Sequence, residues 1–222
     1  MARELVRREF GPTLPAVLQR RFGVPRLVTL AAAVVLGLAA TAVVIAAATA
    51  GRDTPGEQLI HRGEPVFNLL HDTAVVRRVP AREGELLRLE ARRGRLSAEV
   101  VVLPLELPPY GGNVTRGLLP AFAVPYTGRL RADLPGFELR DEGRARVNDA
   151  PGYQVGYRAR RPGERISGRD VLLVPDETSV RGAVVLRYRQ TSRGGRPGKQ
   201  AVEAIGLARK AFRSFRYGTE RG

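Results

Sequence analysis

The chain has 222 residues, a net charge of +15 and no cysteine. It therefore has no disulfide framework and no thiolate metal site, and its two histidines, His61 and His71, point away from a histidine-ligated metal or cofactor. Of its 37 basic residues only Lys199 and Lys210 are lysine, so the charge is carried by guanidinium groups, which grip phosphate and carboxylate through a bidentate fork.

Residues 1–26 carry Arg3, Arg7, Arg8, Arg20, Arg21 and Arg26 against only Glu4 and Glu9. The next stretch, Leu27 to Ala50, holds no charge and no proline. As a helix it would be ~36 Å long at ~1.5 Å per residue, enough for a hydrocarbon core of ~30 Å. Basic flanks stay on the cytoplasmic side. The expectation is a cytoplasmic tail (1–26), a single transmembrane helix (27–50) and an extracytoplasmic domain. Ala48-Thr49-Ala50 before Gly51 also has the small-x-small form of a signal peptidase site; cleavage there exports the same domain. Residues 51–64, polar and interrupted by Pro55, Gly56 and Gly63, read as a tether.

The exported domain is expected over 65–217. Val66–Leu70, Val75–Val79, Leu86–Glu90 and Leu96–Leu103 read as strands, each bounded by Gly or Pro. The run Val100-Val101-Val102-Leu103 predicts a strand buried on both faces. Apolar residues recur at helical spacing between Arg116 and Leu134, but Pro125 predicts a break or kink. From Phe137 to Val147 apolar and charged residues alternate, which predicts a strand with one wet face. Asn148-Asp149-Ala150-Pro151-Gly152 is a turn. Strands follow from Tyr153, at Val171–Val174, and from Ala183 to Gln190. Val202, Ile205, Ala208, Phe212 and Phe215 then form an apolar helical stripe, with the two phenylalanines as core anchors. The fold class is α+β, an antiparallel sheet packed against helices.

The turn Val147-Asn148-Asp149-Ala150-Pro151-Gly152-Tyr153 and the ending Phe212-Arg213-Ser214-Phe215 resemble the PsbP-like α/β/α sandwich group over roughly residues 116–217. Asp149 stands where that group usually has glycine, and the lipobox cysteine of its envelope lipoproteins is absent. The resemblance implies a sandwich fold and a habit of binding partners. It transfers no catalytic residue.

No serine sits in a Gly-x-Ser-x-Gly elbow, and neither Gly111-Gly112 nor Gly194-Gly195 has the lysine of a phosphate-binding loop. His71 and Asp72, adjacent on a strand, would point to opposite faces, so His71 reads as a surface histidine at a strand end. The most specific pattern is arginine on strands. Arg144 with Arg146, Arg158 with Arg160, and Arg187 with Arg189 repeat at spacing two, which puts each pair on one face of its strand. On neighbouring strands the six would form one anion-binding patch. The competing reading is a solvated face balanced by Glu138 and Glu142.

The function expected is a non-enzymatic binding or assembly module, held at the cell envelope by a membrane anchor. Its expected partners are the bilayer, envelope proteins, anionic lipids or wall polymer, with no nucleic acid. A sensor of anionic ligands and an uncatalogued hydrolase are the alternatives.

Overall fold

The computed structural model describes residues 56–194 and 199–220. The expected cytoplasmic tail and transmembrane span lie outside the described residues. Among the described residues no helix is long and apolar enough to cross a membrane.

A seven-stranded antiparallel sheet forms the centre, in the order β3-β4-β5-β9-β8-β7-β6. Its strands are β3 (Val76–Val79), β4 (Leu87–Arg93), β5 (Leu96–Pro104), β6 (Glu138–Val147), β7 (Ala150–Arg161), β8 (Glu164–Leu173) and β9 (Val184–Arg193). A second, three-stranded sheet joins β1 (Glu57–His61), β2 (Phe67–His71) and the two-residue β10 (Arg216–Tyr217). A π-helical turn at Val114–Leu118 leads into α1 (Leu119–Asp133), and α2 spans Lys199–Arg213.

The two helices lie on opposite faces of the seven-stranded sheet. α2 packs chiefly on β2, β4, β5 and β9. There Leu87, Leu89, Val100, Val102, Val184 and Leu186 meet Ile205, Ala208, Ala211 and Phe212. α1 packs on β7 and β6, where Val155, Tyr157, Leu172 and Val185 meet Leu119, Ala123, Tyr126 and Leu130. Val100, Val101 and Val102 are all buried, as their apolar run predicts.

Several elements depart from the sequence reading, each for a local reason. Glu57–His61, read as part of the tether, is strand β1, paired antiparallel with β2; only its Leu59 is fully buried, which is too little apolar pattern to read as a strand. β8 starts at Glu164 rather than near Val171, because Arg165, Ser167, Gly168 and Arg169 interrupt the apolar run. Gly168 is needed there, since a Cβ would lie 2.2 Å from the Tyr157 ring. α1 runs unbroken through Pro125. Pro125 and Ala121, whose carbonyl loses its hydrogen bond, both lie on the exposed side, where water can satisfy that carbonyl. β6 has no wet-and-dry alternation because it is an edge strand, exposed except near its end. A bulge between Leu139 and Asp141 moves these two residues to opposite faces. His71 is buried rather than superficial, and its Nδ1 donates to the Glu57 carbonyl at 3.1 Å.

The end of α2 is tied down from two sides. Phe215, just past the helix, has no exposed surface and packs against Phe67 and Tyr217, with ring centroids 5.4 and 5.3 Å away. Asn148, in the left-handed region at φ 50°, sends its amide to the carbonyls of Arg213 (2.9 Å) and Phe215 (2.8 Å). That amide satisfies carbonyls which a helix end leaves orphaned. Val202, by contrast, is exposed and does not belong to the buried stripe.

On the α1 face, Asp170 of β8 has no exposed surface. Arg187 Nε donates to it at 2.9 Å, Tyr157 donates at 3.2 Å, and the Tyr126 hydroxyl of α1 donates as well. Arg187 also reaches the Tyr126 hydroxyl at 3.1 Å. Burial, and next Asp170, hold the Tyr126 phenol well above its usual range. Burial works against the Arg187 guanidinium, but Asp170 and the two tyrosines more than offset it and hold Arg187 protonated.

Two substitutions test these supports by urea denaturation. Phe215→Ala should cost ~3–5 kcal/mol, the range for emptying a large buried aromatic. Asp170→Ala should cost ~3–5 kcal/mol, because it strands the Arg187 charge in a buried site.

Candidate functional site: an arginine-lined cleft

Each helix covers only half of its sheet face, and the two uncovered halves are polar in different ways. On the α1 face the bare half is β3–β5 with the adjoining edge of β9. Arg88, only 5% exposed, bonds Glu85 and Glu99, both at 2.5 Å, and lies 3.6 Å from Glu90. Arg92 reaches Glu90 at 4.0 Å, and Arg189 reaches Glu99 at 3.7 Å. The hydrogen bond to Arg88, the largest influence, helps hold the Glu85 carboxyl below its usual range. Arg88, Arg92 and Arg189 thus meet Glu85, Glu90 and Glu99, Arg193 meets Glu164 at 2.8 Å, and Arg82 and Arg161 line the same side.

On the α2 face, β6–β8 are open only beyond the buried Val171 and Leu173, and that part carries fewer carboxylates than arginines. Arg158 and Arg160 of β7 point there, since Val155, Tyr157 and Ala159 take the opposite side. Arg140 from the β6 bulge, Arg169 of β8, and Arg209 and Arg213 of α2 join Arg158 around one cleft of about 430 Å³. Asp141, Ser167, Tyr188 and Phe212 complete its wall. Glu138 lies 3.9 Å from Arg140, and Asp141 lies 3.8 Å from Arg169. Among the described residues no ion pair reaches Arg158, Arg209 or Arg213, and Glu138 faces Arg158 across the ladder.

The cleft is built by elements that pack for other reasons. Tyr188 and Phe212, 5.8 Å apart, join β9 to α2 and set the distance of the helix from the sheet. Arg209 lies 5.6 Å over the Tyr188 ring. Burial pushes the Tyr188 phenol up, and Arg209 offsets part of that rise. At the rim, Arg160 and Arg165 sit directly opposite each other on β7 and β8. Like charges in that position destabilise a sheet. An anion shared between them would remove the penalty.

The structure divides the six arginines singled out from spacing. Arg158 and Arg160 lie on the α2 face. Arg144, Arg146, Arg187 and Arg189 lie on the α1 face. Arg144 is opposite Tyr153; Arg146 is 4.0 Å from Glu177 and donates to the Asp149 carbonyl at 3.2 Å. Arg187 is committed to Asp170, and Arg189 Nε donates to the Tyr157 hydroxyl at 3.1 Å. The single patch expected from six residues is therefore corrected: pairs at spacing two share a face within a strand, but pairing and pleat decide which face, and these strands differ. Arg140, Arg165, Arg169, Arg209 and Arg213 went unremarked. Arg209 and Arg213, four apart on a helix, carried a readable signal. Arg140 depends on the bulge, which no pattern announced. Among the described residues no cluster of His, Cys, Asp or Glu could hold a metal ion.

No family model matches the chain, and no curated protein matches it. Among solved structures, it is similar to LpqN of Mycobacterium tuberculosis, described as involved in cell envelope biogenesis, at 14% identity and a TM-score of 0.44, covering 72% of this chain and 89% of that one. It is similar to the cyanobacterial PsbP of Synechocystis at 10% identity and a TM-score of 0.48, covering 76% and 96%. A Bacteroides thetaiotaomicron protein aligns at 9% identity and a TM-score of 0.41, covering 75% and 50%.

If the cleft takes anions, Arg158→Glu with Arg213→Glu should weaken inorganic phosphate binding at least about tenfold, the equivalent of ~1.4 kcal/mol. The readout is calorimetric titration at low salt. Arg144→Glu with Arg146→Glu, on the other face, should leave that binding unchanged.

Proposed function

We propose that the chain is a single-pass membrane protein whose C-terminal domain is a non-enzymatic binding module on the extracytoplasmic side, taking an anionic group in the arginine-lined cleft. The observation that carries this reading is the difference between the two bare half-faces of the sheet. One pairs four of its arginines, Arg88, Arg92, Arg189 and Arg193, with glutamates, and Arg82 and Arg161 line it as well. The other gathers guanidiniums from four elements and leaves Arg158, Arg209 and Arg213 outside any ion pair. Unopposed charge on converging elements costs stability through self-repulsion, so a bound anion is the natural complement.

The membrane part rests on Leu27–Ala50 and the six arginines before it. The non-enzymatic part rests on the cleft's chemistry. Ser167 lines it without a histidine beside it. His61 is stacked on Phe67 at 4.7 Å, and His71 is bonded to the Glu57 carbonyl. Both belong to the three-stranded sheet, and neither lines the cleft with Ser167. A positioned base near a nucleophile is the minimum for acyl or phosphoryl hydrolysis.

The natural absence of cysteine makes the topology directly measurable. Thr219→Cys should react with a membrane-impermeant maleimide in intact cells. Thr13→Cys should react only after the membrane is opened. The reverse pattern overturns the proposed orientation, and labelling of both in intact cells overturns the anchor.

A further inference from the structure

We infer that Asp141 is a resident anion of the cleft and that the ligand is a phosphate monoester, whose second charge lets it displace Asp141 from Arg169. This rests on the anion-binding reading above and names the ligand class.

The placement of Asp141 is specific. The bulge between Leu139 and Asp141 breaks the alternation of β6 and turns Asp141 into the cleft beside Arg140. Its carboxylate then lies over Gly156, directly opposite on β7. A Cβ at Gly156 would sit 2.1 Å from Asp141 Oδ1. Gly156 has no positive φ, so the turn-forming freedom of glycine is not what this position uses. What it uses is the missing side chain, which leaves a seat for the carboxylate. Gln154 Nε2 donates to Asp141 Oδ2 at 2.9 Å, and Arg169 lies 3.8 Å from the same oxygen.

Charge then selects the ligand. Arg140 and Arg169 already have Glu138 and Asp141, whereas Arg158, Arg209 and Arg213 make no ion pair. A carboxylate or phosphodiester ligand brings one charge. If it takes Arg169, it merely exchanges one monoanion for another. A phosphate monoester carries ~1.5 to 2 negative charges near neutral pH, with three acceptor oxygens. It replaces Asp141 on Arg169 and still engages Arg158 or Arg213 through a bidentate fork. Ser167, opposite Arg158 on β8 and exposed to the cleft, supplies a neutral donor.

The test uses the full chain in phosphatidylcholine nanodiscs, with inorganic phosphate at pH 8 titrated by calorimetry. Wild type should bind phosphate, and acetate at the same ionic strength should not compete. Asp141→Asn should bind phosphate about fivefold tighter, the factor for removing an exposed ion-pair competitor of ~1 kcal/mol. Unchanged or weaker binding by Asp141→Asn, with binding still lost in Arg158→Glu/Arg213→Glu, overturns the role of Asp141 and leaves the anion site standing. Competition by acetate equal to that by phosphate overturns the monoester. Absence of binding in every variant overturns both this inference and the reading beneath it. Phosphatidic acid vesicles distinguish the source. Displacement of phosphate by them places the monoester on a lipid, and binding that survives them places it on a soluble or polymer-borne ester; either supports the inference.

Discussion

Asp170 carries a full carboxylate at a position with no exposed surface, in the middle of β8. A buried charge of this kind is tolerated only when paired and hydrogen-bonded, because its desolvation costs several kcal/mol. The pairing comes from three elements: Arg187 of β9, Tyr157 of β7 and Tyr126 of α1. The carboxylate therefore ties the helix to three adjacent strands at one point. Moving α1 would take Tyr126 from Asp170, and slipping the register of β8 against β9 would separate Asp170 from Arg187, which face each other across the ladder. Thus the α1 face of the sheet is settled by one polar interaction set within an apolar layer.

That constraint reaches the opposite face. Once α1 occupies β6 and β7 on one side of the seven-stranded sheet, and α2 occupies β4, β5 and β9 on the other, each face keeps a part with no helix over it. Where water reaches them, those parts are polar. The β3–β5 half solves this with matched glutamates around Arg88. The β6–β8 half does not match its arginines, and the end of α2 adds two more. Asn148 and Phe215 hold that helix end in place, so the packing that completes the core also aims Arg213 at the cleft.

The two motifs that carry the sandwich resemblance meet in space. Asn148, from the Val147–Tyr153 turn, caps Arg213 and Phe215, from the Phe212-Arg213-Ser214-Phe215 ending. Asp149, in place of the usual glycine, pairs with Arg216 at 2.8 Å. These motifs form a joint between a β-turn and a helix end.

Local chemistry decided what the sequence alone could determine here. The charge-free run Leu27–Ala50 and its arginine-rich flank are contiguous, and so are the strand alternation of β7 and β9, the apolar run in β5 and the amphipathic last helix. All of these follow from neighbours a few residues apart. Tertiary structure decided the rest. Arg187 and Arg158 look alike in sequence, each one of a pair spaced by two on a strand. One is bonded to Asp170 in the interior, and the other lines the cleft. Their faces depend on a register set by long-range pairing, and a shift of one residue exchanges the two faces. The cleft itself needs a bulge in β6, a glycine opposite it in β7 and a helix some fifty residues later, a juxtaposition that no local pattern encodes.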